Sequence, residues 1–228
     1  MKVRENLEVI QNQIADACKK TGRDPGEIKI IAVTKYVTSE RAQEAIDAGV
    51  PHLGENRDEG LLQKMNELGD KPVWHFIGTL QTRKVKNIIE HITYIHSLDR
   101  LSLAKEINKR SDSKVKCLIQ VNASGEESKH GLHPDDVIGF VQELKQFQNI
   151  EISGLMTMAP LTEDEQLIRE SFRTMKRLRA EIQSLKYDYA PCNELSMGMS
   201  NDFQIAVEEG STMVRIGTAL VGNESEVQ

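Results

Sequence analysis

A chain of 228 residues with a 39% hydrophobic share is long enough to bury one large core, so residues 1–228 are expected to form a single domain. Its formal net charge of -6, with acidic and basic residues mixed throughout, excludes the concentrated basic face that duplex nucleic acid requires. The segment from Met1 to Lys20 is charged throughout, no later run is apolar over a membrane's thickness, and Cys18, Cys117 and Cys192 lie far apart without CxxC spacing. These features point to a cytoplasmic protein with no membrane partner, no disulfide framework and no metal.

Val3, Leu7, Ile10, Ile14 and Ala17 repeat at helical spacing and predict an N-terminal helix ahead of the first strand. "IKIIAVTK" (Ile28 to Lys35) is the first β-rich run, and the helix "TSERAQEAIDAG" follows, opening at Thr38 or Ser39 and stopping at Gly49. The same alternation continues through "HLGEN" (His52 to Asn56), "WHFIG" (Trp74 to Gly78), "YIHSLD" (Tyr94 to Asp99) and "CLIQVNA" (Cys117 to Ala123). A helix then begins near Pro134, a residue favoured in a first helical turn. After "ISGLMTMA" (Ile152 to Ala159), a long helix is predicted, with Thr162 and Glu165 at capping-box spacing and an apolar stripe from Leu167 to Leu178. "LSMGMS" (Leu195 to Ser200) and "MVRIGTALVG" (Met213 to Gly222) complete about eight strands. The pattern predicts an α/β chain folded as a (β/α)8 TIM-type barrel with an extra N-terminal helix. A doubly wound open sheet is the alternative, but no Gly-rich phosphate loop follows the first strand.

In a closed parallel barrel the loops after the strands share one rim, so strand ends read as a list of site residues. They are Lys35, Asn56, His75 with Gly78, Ser200, and Arg215 with Gly217 and Thr218. An amine at the end of a core strand faces a partly desolvated mouth, which favours its neutral, nucleophilic form; taken alone, Lys35 reads first as a lysine that snorkels to solvent, and the other strand ends shift that balance. Ser200 and Asn201 open a helical stretch, and Gly217 and Thr218 follow the eighth strand, the corner where such barrels commonly bind phosphate. A phosphate corner and an amine nucleophile together suit a phosphorylated carbonyl compound held as a Schiff base, and pyridoxal phosphate fits that description. His130 and His133 in "KHGLHPDD" lack further ligands for a metal, and the basic run from Thr82 to Asn87 reads as a solvated helix face.

"AVTK" with Lys35, "GEN" with Asn56, "WHFIGTLQTRK", "GLMTMAP", "LSMGMSNDF" and "VRIGTALVG" occur in that order, and with them the chain resembles the pyridoxal phosphate homeostasis family, relatives of the N-terminal barrel of alanine racemase. The resemblance implies that Lys35 is the Schiff-base lysine, that Ser200, Gly217 and Thr218 hold the phosphate, that Asn56 lies beside the ring and that Arg215 faces the pyridine nitrogen. Asp58 and Arg83 depart from the family's common glutamine and asparagine. The chain stops at Gln228, short of the racemase's second domain and the tyrosine it supplies. An arginine at the ring nitrogen keeps it unprotonated and a poor electron sink. The implied role is to hold pyridoxal phosphate and control its free level or delivery to apoenzymes, as a monomer and without substantial turnover. A racemase or lyase is the alternative, and a phosphosugar-type barrel enzyme a further one.

Overall fold

The eight β-rich runs become eight parallel strands in the computed structural model, which describes residues 2–126 and 129–223. They are β1 Lys29–Val33, β2 His52–Glu55, β3 Val73–Phe76, β4 Tyr94–Leu98, β5 Val115–Gln120, β6 Ile150–Met156, β7 Glu194–Ser196 and β8 Met213–Ile216. Neighbours in sequence pair with one another, and β1 pairs with β8 from Lys29↔Met213 to Ala32↔Ile216, which closes the barrel. Parallel strands need crossover connections, and helices supply them: α1 Val3–Thr21, α2 Ser39–Ala48, α3 Asp58–Leu68, α4 Val85–Ile88, α5 Leu101–Arg110, α6 Val137–Glu143, α7 Glu165–Ser184, α8 Phe203–Glu208 and α9 Thr218–Val221. Among the described residues no helix is long and apolar enough to cross a membrane.

The extra N-terminal helix is present. Val3, Leu7, Ile10, Ile14 and Ala17 all lie on the buried face of α1, which packs against α2, α8 and α9, and Asn6 Nδ2 donates to Leu220 O at 2.8 Å. Thr38 caps α2 by accepting from the Arg41 amide, and Gly49 ends it with φ 108°, a left-handed conformation that glycine adopts without steric cost. The cap of α7 differs from the expected Thr162–Glu165 box. Asp164 takes the position, accepting from the amides of Gln166 and Leu167, while Thr162 Oγ1 accepts from the Asp164 amide instead. A carboxylate at a helix N-terminus gains from the helix dipole as well as from the hydrogen bonds.

Strand ends fall short of the sequence boundaries around the mouth. β1 stops at Val33: the Thr34 amide still bonds Gly54 O, and then the Val37 amide bonds Thr34 O at 3.2 Å, closing a turn that carries Lys35. β8 stops at Ile216, and the apolar run beyond it coils back, with the amides of Leu220 and Val221 returning to Gly217 O. A short apolar run is compatible with either strand or helix, and here the return bonds decide for helix.

Two apolar regions result. The larger lies between strands and helices, where buried Val, Ile and Leu face Phe172, Met175, Leu178 and their counterparts on the other helices. The smaller is the barrel interior, where Ile31, Tyr94, Leu118, Met156 and Met213 form a cluster of their own. The rest of the interior is polar and includes His75, His96, Ser196 and Arg215, all buried.

Candidate functional site

The loops after β1, β2, β3, β5, β6, β7 and β8 surround a cavity of about 550 Å3 at the mouth of the barrel. Lys35, Asn56, Ser200, Arg215, Gly217 and Thr218, the six residues singled out in the sequence, all line it. Each reaches it differently. Lys35 sits on the turn after β1, Asn56 follows β2, Ser200 lies in the turn before α8, and Gly217 and Thr218 link β8 to α9. Gly78 matters for placing Asn56, because a Cβ at position 78 would lie 2.3 Å from Asn56 O and displace that backbone.

Lys35 is exposed, with Nζ 4.7 Å from the centroid of the Tyr36 ring. The expected desolvation by the mouth is therefore absent. A lysine over an aromatic face at an exposed site gains about 0.5–1 kcal/mol from the contact.

Arg215 forms the floor. Its Nη1 donates to Ser196 O and Ser196 Oγ, both at 2.7 Å, and Nη2 donates to Thr157 O at 2.8 Å. Burial pushes its pKa down to about 10, opposed by the Asp202 carboxylate nearby, so it remains a cation at neutral pH. Three of five N–H groups are used, and Nε–H and the second N–H of Nη2 have no acceptor among the described residues. The guanidinium is thus held by carbonyls and a hydroxyl, with no direct ion pair to an acid among the described residues.

At the phosphate corner the amides of Ser200, Asn201 and Thr218 likewise have no backbone or side-chain acceptor among the described residues. Asp202, just beyond, turns its carboxylate to the Met199 amide; burial raises its pKa, against the lowering effects of that hydrogen bond and of Arg215. A Cβ on Gly217 would meet Val33 Cβ at 3.5 Å, ordinary contact, so packing does not demand glycine there; its bare backbone faces the cavity.

Other sequence expectations meet different outcomes. His75 is not near the mouth but deep in the interior between His52 and His96, two histidines the sequence reading did not single out. His133 caps the turn before α6 through Nδ1, whereas His130 lines the mouth cavity. The run from Thr82 to Asn87 is docked instead of freely solvated: Lys84 Nζ reaches Asp58 at 2.7 Å and also Glu59, Asn87 Nδ2 donates to Asp58 at 2.8 Å, and Val85 is buried. Asp58 is therefore a tie between α3 and α4. Arg83 donates to Gln81 and lines a polar cavity of about 340 Å3 beside Asn56. Between β2 and α3, Glu55 accepts from Thr34 Oγ1 at 2.6 Å and pairs with Lys64 at 3.0 Å, a buried set that the sequence pattern does not reveal.

The family model for the alanine racemase N-terminal domain matches residues 3–225. The pyridoxal phosphate homeostasis protein of Aquifex aeolicus is 40% identical over 226 residues, covering 97% of this chain and 98% of that protein. The chain belongs to this family. Among solved structures, the PipY protein of Synechococcus elongatus, determined with pyridoxal phosphate bound, is 32% identical with a TM-score of 0.84 over 96% of this chain and all of that one. Alanine racemase from Corynebacterium glutamicum matches at 15% identity and a TM-score of 0.75, covering 96% of this chain and 60% of that enzyme, which shows a shared barrel fold.

Proposed function

We propose that this chain is a cytoplasmic, monomeric pyridoxal phosphate homeostasis protein, one domain from end to end, that binds the cofactor in the mouth cavity on Lys35 and controls its free level or its delivery to apoenzymes. The observation that carries this reading is an open donor set converging on one cavity. The Nε–H of buried Arg215 and the amides of Ser200, Asn201 and Thr218 lack protein acceptors, and Lys35 is the one lysine among the described residues that line the space. The residues fit the group: a cavity of about 550 Å3 lies within the usual range for small-molecule sites, roughly 300–1,000 Å3, and its donors suit an anion at one corner and a ring nitrogen at the floor.

When bound, pyridoxal phosphate supplies an aldehyde that condenses with a primary amine. Lys35 supplies that amine. The amides of Ser200, Asn201 and Thr218, with the Ser200 hydroxyl, bind the phosphate oxyanions, and charge-assisted bonds of this kind are the stronger class. Asn56 orients the ring from the side. Arg215 offers only donors, so a nitrogen facing it accepts a hydrogen bond and stays unprotonated. That arrangement disfavours carbanion chemistry and supports a binding role without substantial turnover.

The protein should purify yellow, and borohydride reduction with peptide mapping should place the label on Lys35; a colourless protein that cannot be reconstituted, or a label elsewhere, refutes the assignment. A racemase or lyase is the second reading, and one observation favours it: His130 lines the same cavity as Lys35 and is a candidate second proton-transfer group. Incubating the loaded protein with L- and D-amino acids in deuterated water tests it. No sustained α-proton exchange is expected, and turnover lost in both Lys35→Ala and His130→Asn would replace the binding role with catalysis.

A further inference from the structure

Three consecutive strands each place a histidine in one line through the barrel. His52 Nδ1 lies 3.0 Å from His75 Nε2, His75 Nδ1 lies 2.8 Å from His96 Nε2, and His96 Nδ1 lies 3.0 Å from Ser196 Oγ. Ser196 Oγ is in turn 2.7 Å from Arg215 Nη1. The line therefore runs from the first residue of β2, at the end of the barrel opposite the mouth, to the floor of the mouth cavity. His75 and His96 have no exposed surface, and the Tyr94 ring stacks on His75 with centroids 4.6 Å apart. Among the described residues no three His, Cys, Asp or Glu side chains are grouped to hold a metal.

Hydrogen-bond accounting gives the line a direction. Burial, together with the neighbouring histidines and Arg215, holds the pKa values of His75 and His96 well below the usual histidine range, so both rings are neutral and each carries one donor and one acceptor. The guanidinium can only donate. A serine hydroxyl can accept twice, but the arrangement that also uses its own proton among these partners has Ser196 Oγ accept from Arg215 and donate to His96 Nδ1. His96 must then carry its proton on Nε2 and donate it to His75 Nδ1, and His75 donates from Nε2 to His52 Nδ1. One permanent cation fixes the tautomer of three histidines.

We propose that His52, His75, His96 and Ser196 are the positioning residues of Arg215, a one-directional line of hydrogen bonds that locks the guanidinium with Nε–H free for the cavity and couples it to proton binding at His52. The coupling to a ligand rests on the reading of the mouth as the pyridoxal phosphate site. His52 is the only half-buried member of the three, and burial and then Lys29 on β1 lower its pKa, while Glu194 on β7 raises it; Lys116 on β5 lies over the Tyr94 ring that covers His75. A proton added to His52 Nδ1 meets the N–H of His75. The conflict is relieved only if the His52–His75 bond breaks or every ring changes tautomer, which forces Ser196 Oγ to accept from both sides and weakens its hold on Arg215. By linkage, whatever Arg215 binds alters proton affinity at His52.

The first test uses cofactor-free protein labelled with 15N-histidine, in which ring-nitrogen spectra report the tautomer directly. All three rings should carry the proton on Nε2 near neutral pH, and Nδ1–H on His75 or His96 would overturn the direction. In Ser196→Ala, His96 should become a mixture of tautomers; a pure Nε2–H ring there would show that Arg215 does not set the line. The second test uses protein loaded with pyridoxal phosphate. His52→Gln keeps an acceptor for His75 but cannot titrate, so the step in the visible band of the wild type on acidification should vanish in the variant. Superimposable pH profiles would overturn the coupling. Affinity for pyridoxal phosphate should fall about tenfold in Ser196→Ala and recover in Ser196→Thr, and an unchanged affinity in Ser196→Ala refutes the positioning role. If the wild type binds no pyridoxal phosphate, the mouth assignment fails while the tautomer result stands or falls independently.

Discussion

The mouth of the barrel and the polar groups sealed beneath it are built from similar side chains and differ in one respect. At the mouth, Arg215 Nε and the amides of Ser200, Asn201 and Thr218 have no acceptor among the described residues. Beneath, the inner N–H groups of Arg215, the Glu55 carboxylate and the ring nitrogens of His75 and His96 are all partnered. A buried polar group without a partner costs about 1–3 kcal/mol, so the sealed set serves stability and the open set awaits a ligand. The contrast predicts that substitutions beneath the mouth lower stability and those at the rim lower affinity.

The largest effect belongs to the sealed pair. Lys64 and Glu55 are 7% and 1% exposed, and removing one partner of such a pair commonly costs about 3–5 kcal/mol because the other charge stays buried. Lys64→Met should lower unfolding free energy by that amount in chemical denaturation, and Lys64→Met with Glu55→Gln should recover part of it. A loss below about 1 kcal/mol in the single variant would mean that water reaches Glu55 and that the region is not sealed.

At the rim the balance should invert. Ser200→Ala removes a hydroxyl donor, and Gly217→Val places a branched side chain where bare backbone faces the cavity. Each lost charge-assisted bond is worth about 1.5–3 kcal/mol, so affinity for pyridoxal phosphate should fall at least tenfold. Stability of the cofactor-free protein should stay within about 0.5 kcal/mol of the wild type in Ser200→Ala. Undiminished affinity in both variants would place the phosphate elsewhere.

The same contrast explains what the sequence made legible. The shell between strands and helices is apolar, so periodicity revealed eight strands, the N-terminal stripe from Val3 to Ala17 and the barrel they form. Strand ends and the loops after them gave six of the residues that line the cavity, because a closed parallel barrel has only one rim on that side. The sealed polar line was invisible for a physical reason: His52, His75 and His96 meet through the register of β2, β3 and β4, where Gly54 pairs with His75 and His75 with Tyr94, and spacing along the chain does not encode it. The exposure of Lys35 is hidden in the sequence for a similar reason, since the turn closed by the Val37 amide sets it at the solvent-facing edge of the mouth cavity it lines.

Asp58 sits between the two regimes and carries the smallest effect. It is 5% exposed, and burial alone would raise its pKa, but hydrogen bonds from Lys84 and Asn87 outweigh burial and hold it at about 2. An unfolded aspartate titrates near 3.9, so the native state favours the ionised form. The sign follows: the stabilisation is complete above about pH 5, declines as pH falls through the unfolded value, and is lost below about pH 2. After allowance for solvent screening of Lys84, it is on the order of 1–2 kcal/mol. Asp58→Asn keeps an acceptor for Asn87 but loses the charge. Compared with wild type by denaturation, it should be less stable by that amount at neutral pH, with the gap closing toward pH 2. A gap that persists in acid would assign Asp58 a role in packing α3 on α4 and not in charge pairing, placing it with the sealed groups.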